Sequence, residues 1–184
     1  LAKESLDKAL KELDTDYIDI FLLHEQESIY TLMGHKEAIE YFMEAKDKGL
    51  IRAFGLSTHR ISGVLAAKEN PNIEIIHPIV NKNGIGIQDG NIEEMLKAIE
   101  EVRQLGVGIY SMKPLGGGHL IKDYKKSFEF VKELKQIDSI AIGMQSKEEI
   151  DANVAFINNE QVDKQVKDSL RKKNRKLIVA DYCI

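Results

Sequence analysis

Apolar residues in this chain come in short runs, and each run is followed by a stretch of helical spacing. The first run, Tyr17 to Leu23, stops at His24. The next, Ile51 to Leu56, stops at Ser57-Thr58-His59, and Ile73 to Val80 stops at Asn81. Val107 to Met112 stops at Lys113, and Ser139 to Gly143 stops at Met144-Gln145-Ser146. Near-continuous apolar runs of this length predict strands covered on both faces. Pro78 cannot donate to a ladder, which weakens the second half of the third strand.

Helices are predicted between the runs. Leu6, Leu10 and Leu13 mark one at 3–13. Ala38, Ile39, Phe42, Met43 and Ala45 mark another, stopped by the cap signal Gly49. A short helix covers about 60–69, before Asn70-Pro71. Asn91 and Glu94 form a capping box ahead of Ile92, Met95, Leu96, Ile99, Val102 and Leu105. Residues 124–135 are helical, and Ser146 with Glu149 reads as a second capping box for a helix to about 158. Residues 25–34, 82–90 and 114–118 read as loops, and 160–176 as a charged, weakly amphipathic helix.

Strand and helix alternating at roughly thirty-residue spacing predict a parallel α/β sheet. A full (β/α)8 barrel of the TIM type takes ~250 residues, and this chain supplies about five of eight units. A doubly wound open sheet is the competing architecture. No G-x-G-x-x-G follows any strand, which counts against a dinucleotide fold of that kind. The expected division is 1–158 for the partial barrel and 159–184 for a charged helix or linker.

Composition narrows the function. Lys and Arg number 26 against 30 Asp and Glu, for a net charge of −4. That has the wrong sign for a nucleic-acid binder, and no basic run is interleaved with aromatics. The one cysteine leaves no disulfide framework within the chain, which suits a reducing cytoplasm. No apolar run reaches the length of a membrane span. A signal-peptide pattern and a starting Met are both lacking, so Leu1 reads as the middle of something longer.

Polar side chains collect at the C-terminal end of every predicted strand: His24, Ser57-Thr58-His59, Asn81, Lys113 and Gly143 to Ser146. That face carries the active site in α/β barrels. A lone strand-end histidine is more often structural, but five coincident strand ends favour function. His24-Glu25-Gln26-Glu27 mimics a metal cluster, yet it lacks the second His of H-E-x-x-H. His77 reads as packed or surface, and His35 and His119 as solvated. Tyr30 reads as a loop or packing tyrosine, and Ser146 first as a helix cap whose open helix end also suits a phosphate.

These motifs, in this order, resemble the aldo-keto reductases. Tyr17 to His24 is similar to the family's fourth barrel strand, which ends in a catalytic histidine. Gly49 to Ser57 is similar to the fifth, whose Ser57 and Thr58 would bind the nicotinamide carboxamide. Val80-Asn81 is similar to the sixth, where the family has Asn-Gln and this chain has Lys82. Met112 to Gly118 is similar to the seventh strand and the loop along the pyrophosphate, which implicates Lys113, Gly116 and Gly117. Gly143 to Asn153 is similar to the eighth strand and the adenosine-phosphate loop, which implicates Gly143, Gln145, Ser146, Lys147 and Asn153. The resemblance implies an oxidoreductase that reduces aldehydes or ketones with a nicotinamide dinucleotide. Lys147, with no acidic residue in 143–147, suits the 2′-phosphate of NADPH. Asp89-Gly90, Tyr110 to Gly118 and Ala141 to Met144 resemble a branch fused to a ferredoxin-like segment. In that branch Cys183 would open a run binding a 4Fe-4S cluster.

Carbonyl reduction needs a positioned hydride donor, stabilisation of charge on the carbonyl oxygen, and a proton. In the family a Tyr supplies the proton, helped by a Lys and an Asp. The resemblance places all three upstream of Leu1, leaving His24 as the catalytic residue within the chain. The alternative from another class is a non-catalytic partial barrel that binds nucleotide or assembles with another chain.

Overall fold

The computed structural model describes residues 1–166 and 168. Cys183 and most of the helix expected at 160–176 lie outside the described residues. Among the described residues five strands form one parallel sheet: β1 Ile18–Leu23, β2 Ile51–Thr58, β3 Ile75–Pro78, β4 Gly108–Met112 and β5 Ser139–Ala141. Their spatial order is their sequence order, β1-β2-β3-β4-β5. A doubly wound sheet reverses at a switch point, and this one does not. Right-handed crossovers that never reverse put every helix on one face.

The layer includes, among the described residues, α1 Ala2–Leu13, α2 Ile29–Gly34, α3 Lys36–Asp47, α4 Ile61–Leu65, α5 Ile92–Arg103, α6 Tyr124–Lys132 and α7 Lys147–Ile157. Alternate strand residues point to it. Phe54, Leu56, Ile76 and Ile109 are buried there. Phe42 of α3 packs on Phe21 and Phe54 with ring centroids 5.0 and 5.5 Å apart. Each such buried side chain contributes roughly 1.5–3 kcal/mol. Phe128 of α6 and Phe156 of α7 meet at 5.6 Å, which ties α6 to α7.

Among the described residues no helix covers the opposite face. Ile20, Leu22, Gly55, Ile75, His77 and Tyr110 lie there, and Ile20 is 42% exposed. Strands covered on both faces were the expectation, and β1 departs from it. On this face His77 stacks on Tyr110, centroids 4.0 Å apart, with its Nδ1 2.6 Å from the Tyr110 carbonyl oxygen.

Local chemistry explains where elements stop. At the end of α3 the Gly49 N–H reaches Lys46 O at 2.8 Å and the Leu50 N–H reaches Ala45 O at 2.9 Å. Gly49 takes φ 77° to allow this. The Asn91–Glu94 capping box is formed. Several expectations need correction. The loop predicted at 25–34 contains α2, begun at Ser28, whose N–H reaches Thr31 Oγ1 at 3.1 Å. The helix at 60–69 is α4 followed by a 3-10 turn at Ala66–Glu69. The third strand spans only Ile75–Pro78, with Ile79 joined to Met112 by an isolated bridge. Before α7, Ser146 caps Glu149 N–H at 3.4 Å, while the Glu149 carboxylate takes the Gln145 N–H at 2.9 Å. That is one half of the expected box, with its return bond shifted by one residue.

Candidate active site

In a parallel sheet all C-terminal strand ends lie on one rim, so the five polar ends share a mouth. His24 follows β1 and is exposed. Its Nδ1 lies 3.2 Å from Ser57 Oγ on the neighbouring strand. The same oxygen accepts the Glu25 N–H at 3.0 Å. A hydroxyl can give one proton and accept two, so Ser57 donates to Nδ1 in the tautomer that carries the His24 ring proton on Nε2. Beneath His24, Gln26 is buried and donates Nε2 to the His24 carbonyl at 2.9 Å.

Thr58 faces the helical layer instead. It is fully buried, and its Oγ1 accepts the Arg60 N–H at 2.9 Å. Gly63 of α4 presses close to it, and a Cβ there would sit 2.2 Å from Thr58 Oγ1. Asn81 is also fully buried, and its amide holds the following turn. It accepts the Ile85 N–H at 2.9 Å and donates to Ile85 O at 2.8 Å. Lys82 pairs with Asp123.

His59 sits between two charged residues. Its Nδ1 and its backbone N–H both meet Glu25 Oε1 at 3.1 Å, and Lys113 Nζ lies 2.7 Å from its Nε2. Burial lowers the His59 pKa, with help from Lys113 and against the pull of Glu25. His77 is lowered too, by burial and then by Lys113, against its bond to the Tyr110 carbonyl. The folded protein thus holds both rings neutral where the unfolded chain begins to protonate, below about pH 6.5. Their contribution to stability is complete above that pH and is lost as the pH falls through the folded values. The urea midpoint should therefore drop between about pH 7 and pH 5, and drop less in a His59→Gln, His77→Gln double variant. A steeper fall in that variant would contradict the assignment.

At the exits of β4 and β5 a cleft of about 600 Å³ opens, lined by Lys113, Pro114, Leu115, Gly117, Gly143 and Gln145 among others. Gly116, Gly117 and Gly118 have φ of 56, 64 and 104°, which keeps the loop tight under the cleft. A Cβ on Gly117 or Gly143 would meet nothing within 4 Å, so both open onto free space. Ser146, Lys147 and Asn153 begin and continue α7 beside it without lining it. Glu149 does line it, a carboxylate that the sequence marked only as a cap. Among the described residues no group of three or more His, Cys, Asp or Glu is placed to hold a metal ion, and no helix is long and apolar enough to cross a membrane. Tyr30 lies on α2, 78% exposed.

Residues 2–140 match the sequence model of the aldo/keto reductase family. Over 124 residues the chain is 32% identical to an uncharacterised oxidoreductase, YqkF, of Bacillus subtilis, covering 61% of this chain and 37% of that one. It is 26% identical over 117 residues to an aldo-keto reductase of Bombyx mori, covering 61% and 36%. The chain thus spans little more than a third of the length of these curated relatives. An aldo-keto reductase from Bacillus halodurans, in its apo form, shares the fold with a TM-score of 0.68 at 22% identity, over 93% of this chain and 67% of that one.

Proposed function

Because this chain belongs to the aldo/keto reductase family, we propose that it is the C-terminal part of a reductase barrel, strands 4 to 8, acting on aldehydes or ketones with NADPH. On this reading residues 1–158 are the barrel portion and 159–184 a linker toward a further segment. The observation that carries it is the shared rim, where the His24–Ser57 pair at the β1 and β2 exits and the glycine-floored cleft at the β4 and β5 exits lie at the same end of the sheet. Bound NADPH would supply the hydride. Ser57 would meet the carboxamide, the segment Lys113 to Gly118 would follow the pyrophosphate, and Gly143 to Asn153 would take the adenosine end, with Lys147 at the 2′-phosphate.

His24 orients the substrate. Its Nε2–H would donate to the carbonyl oxygen and stabilise the charge that develops there. Ser57 fixes the tautomer, and Glu25 N–H fixes Ser57. The proton itself comes from the upstream Tyr of the family pattern, outside this chain. Cys183 is the one cysteine of the sequence. A 4Fe-4S cluster takes four thiolates, so these residues do not by themselves fit one. Kinship with the cluster-bearing branch rests on the motifs at 110–118 and 141–144.

The test is NADPH oxidation with a panel of small aldehydes, run on the 184-residue chain and on the longer protein that carries it. The longer protein should turn over, and the isolated chain should not. Turnover by the isolated chain at the same level would defeat the fragment reading. No turnover by either would favour the non-catalytic barrel.

A further inference from the structure

We infer that Glu25 is a positioning residue for His24: its side chain, tethered to His59, holds a strained turn that fixes the Ser57 hydroxyl against the His24 ring. The inference rests on the reductase reading for what His24 does, and adds the residue that holds it in place.

Backbone conformation singles out Glu25. Among the described residues, four other than glycine have a left-handed φ: Asp14, Glu25, Lys113 and Asn159. Asp and Asn tolerate that region. Glu does not favour it, and strain of this kind persists where the surroundings over-determine it. The turn at Glu25, with φ 51°, has a visible use. Successive N–H groups of an extended strand point to opposite edges, whereas a left-handed residue lets two of them converge. Glu25 N–H reaches Ser57 Oγ at 3.0 Å, and Gln26 N–H reaches Ser57 O at 2.8 Å. One residue of β2 is thus gripped twice, and its hydroxyl lies 3.2 Å from His24 Nδ1. A hydroxyl that accepts from Glu25 and donates to His24 keeps a second acceptor site for the carboxamide that the reductase reading gives to Ser57.

Side chains hold the turn. Glu25 Oε1 accepts the His59 N–H at 3.1 Å and faces His59 Nδ1 at 3.1 Å. The far nitrogen of that ring, Nε2, meets Lys113 Nζ at 2.7 Å, and an ammonium can only donate. The ring proton therefore sits on Nδ1 and is given to Glu25. Both bonds need an acceptor oxygen at Glu25, and neither needs its negative charge. On the other side of the turn, buried Gln26 donates Nε2 to the His24 carbonyl at 2.9 Å.

The experiment compares Glu25→Gln, Glu25→Gly and Glu25→Ala in the longer protein and in the 184-residue chain. Gln keeps the acceptor oxygen. Gly takes the turn without strain but has no tether, and Ala has the strain and no tether. In the longer protein, kcat for a small aldehyde should stay near wild type in Glu25→Gln. It should fall by about tenfold to a hundredfold in Glu25→Ala, the range that a misplacement of up to ~1 Å produces, and take an intermediate value in Glu25→Gly. Because the contact acts in the transition state, kcat and kcat/KM should fall together. In the 184-residue chain the nitrogen NMR signals of the His24 ring, read at about pH 8 where an ordinary histidine is neutral, should show the Nε2–H tautomer in the wild type and in Glu25→Gln. Glu25→Ala should show a mixture of tautomers. Wild-type kcat and tautomer in Glu25→Ala would overturn the proposal. So would a Glu25→Gln variant as impaired as Glu25→Ala, which would mean that the charge itself acts. If the longer protein reduces no aldehyde, the reductase reading fails separately, and the ring signals still decide the positioning. If Glu25→Ala does not fold, Glu25→Gly stands in for it, and a wholly wild-type tautomer there would sink the idea.

Discussion

Replacing His24 by alanine in the longer enzyme should lower turnover by about 10²–10⁴-fold, the usual worth of a positioned polarising or acid–base group. The expectation follows from its place at the rim, exposed and with Nδ1 3.2 Å from Ser57 Oγ. NADPH affinity should change little, because the cleft that would hold the dinucleotide is lined by residues of the β4 and β5 exits. His24→Gln should recover part of the loss, as its amide can still donate to a carbonyl oxygen. Steady-state kcat with one aldehyde, beside NADPH binding by fluorescence, makes the comparison. Wild-type turnover in His24→Ala would mean that the ring only packs.

The second large effect concerns folding. Gly55 pairs with Ile75 across β2 and β3, and a Cβ on it would lie 1.9 Å from the Ile75 carbonyl oxygen. Backbone on backbone leaves nothing flexible to yield, so the two strands must part. Gly55→Ala should cost about 3 kcal/mol or more, at or beyond the upper end of overpacking effects. Gly34→Ala is the control, since a Cβ there would meet nothing within 4 Å. Urea midpoints of the two variants against the parent give the answer. A Gly55→Ala midpoint equal to that of Gly34→Ala would mean the sheet accommodates the methyl group.

How much of this was legible in the sequence can be argued residue by residue. The strands were visible because apolar runs stop abruptly, and His24, Ser57 and Lys113 were visible because each stands at such a stop. Helix α2 was hidden because its cap partner is Thr31 where the familiar signal is Glu or Gln. Glu25 was hidden for a different reason. Its left-handed backbone has no glycine or asparagine to announce it, and its partner His59 lies 34 residues away. Thr58 looked equivalent to Ser57, but neighbouring strand residues point to opposite faces, and Thr58 went to the helices. Glu149 carried a cap signal and proved also to line the cleft, a second use that helical spacing cannot reveal.

Sequential strand order has a consequence for how such a rim can change over generations. Each strand is paired only with the units before and after it, so a residue at one exit can be exchanged without shifting the register of distant strands. Lys82 illustrates it. Its charge is answered by Asp123, while Asn81 beside it keeps its bonds to Ile85. A rim assembled from such semi-independent exits can change one strand end at a time while the others keep their bonds.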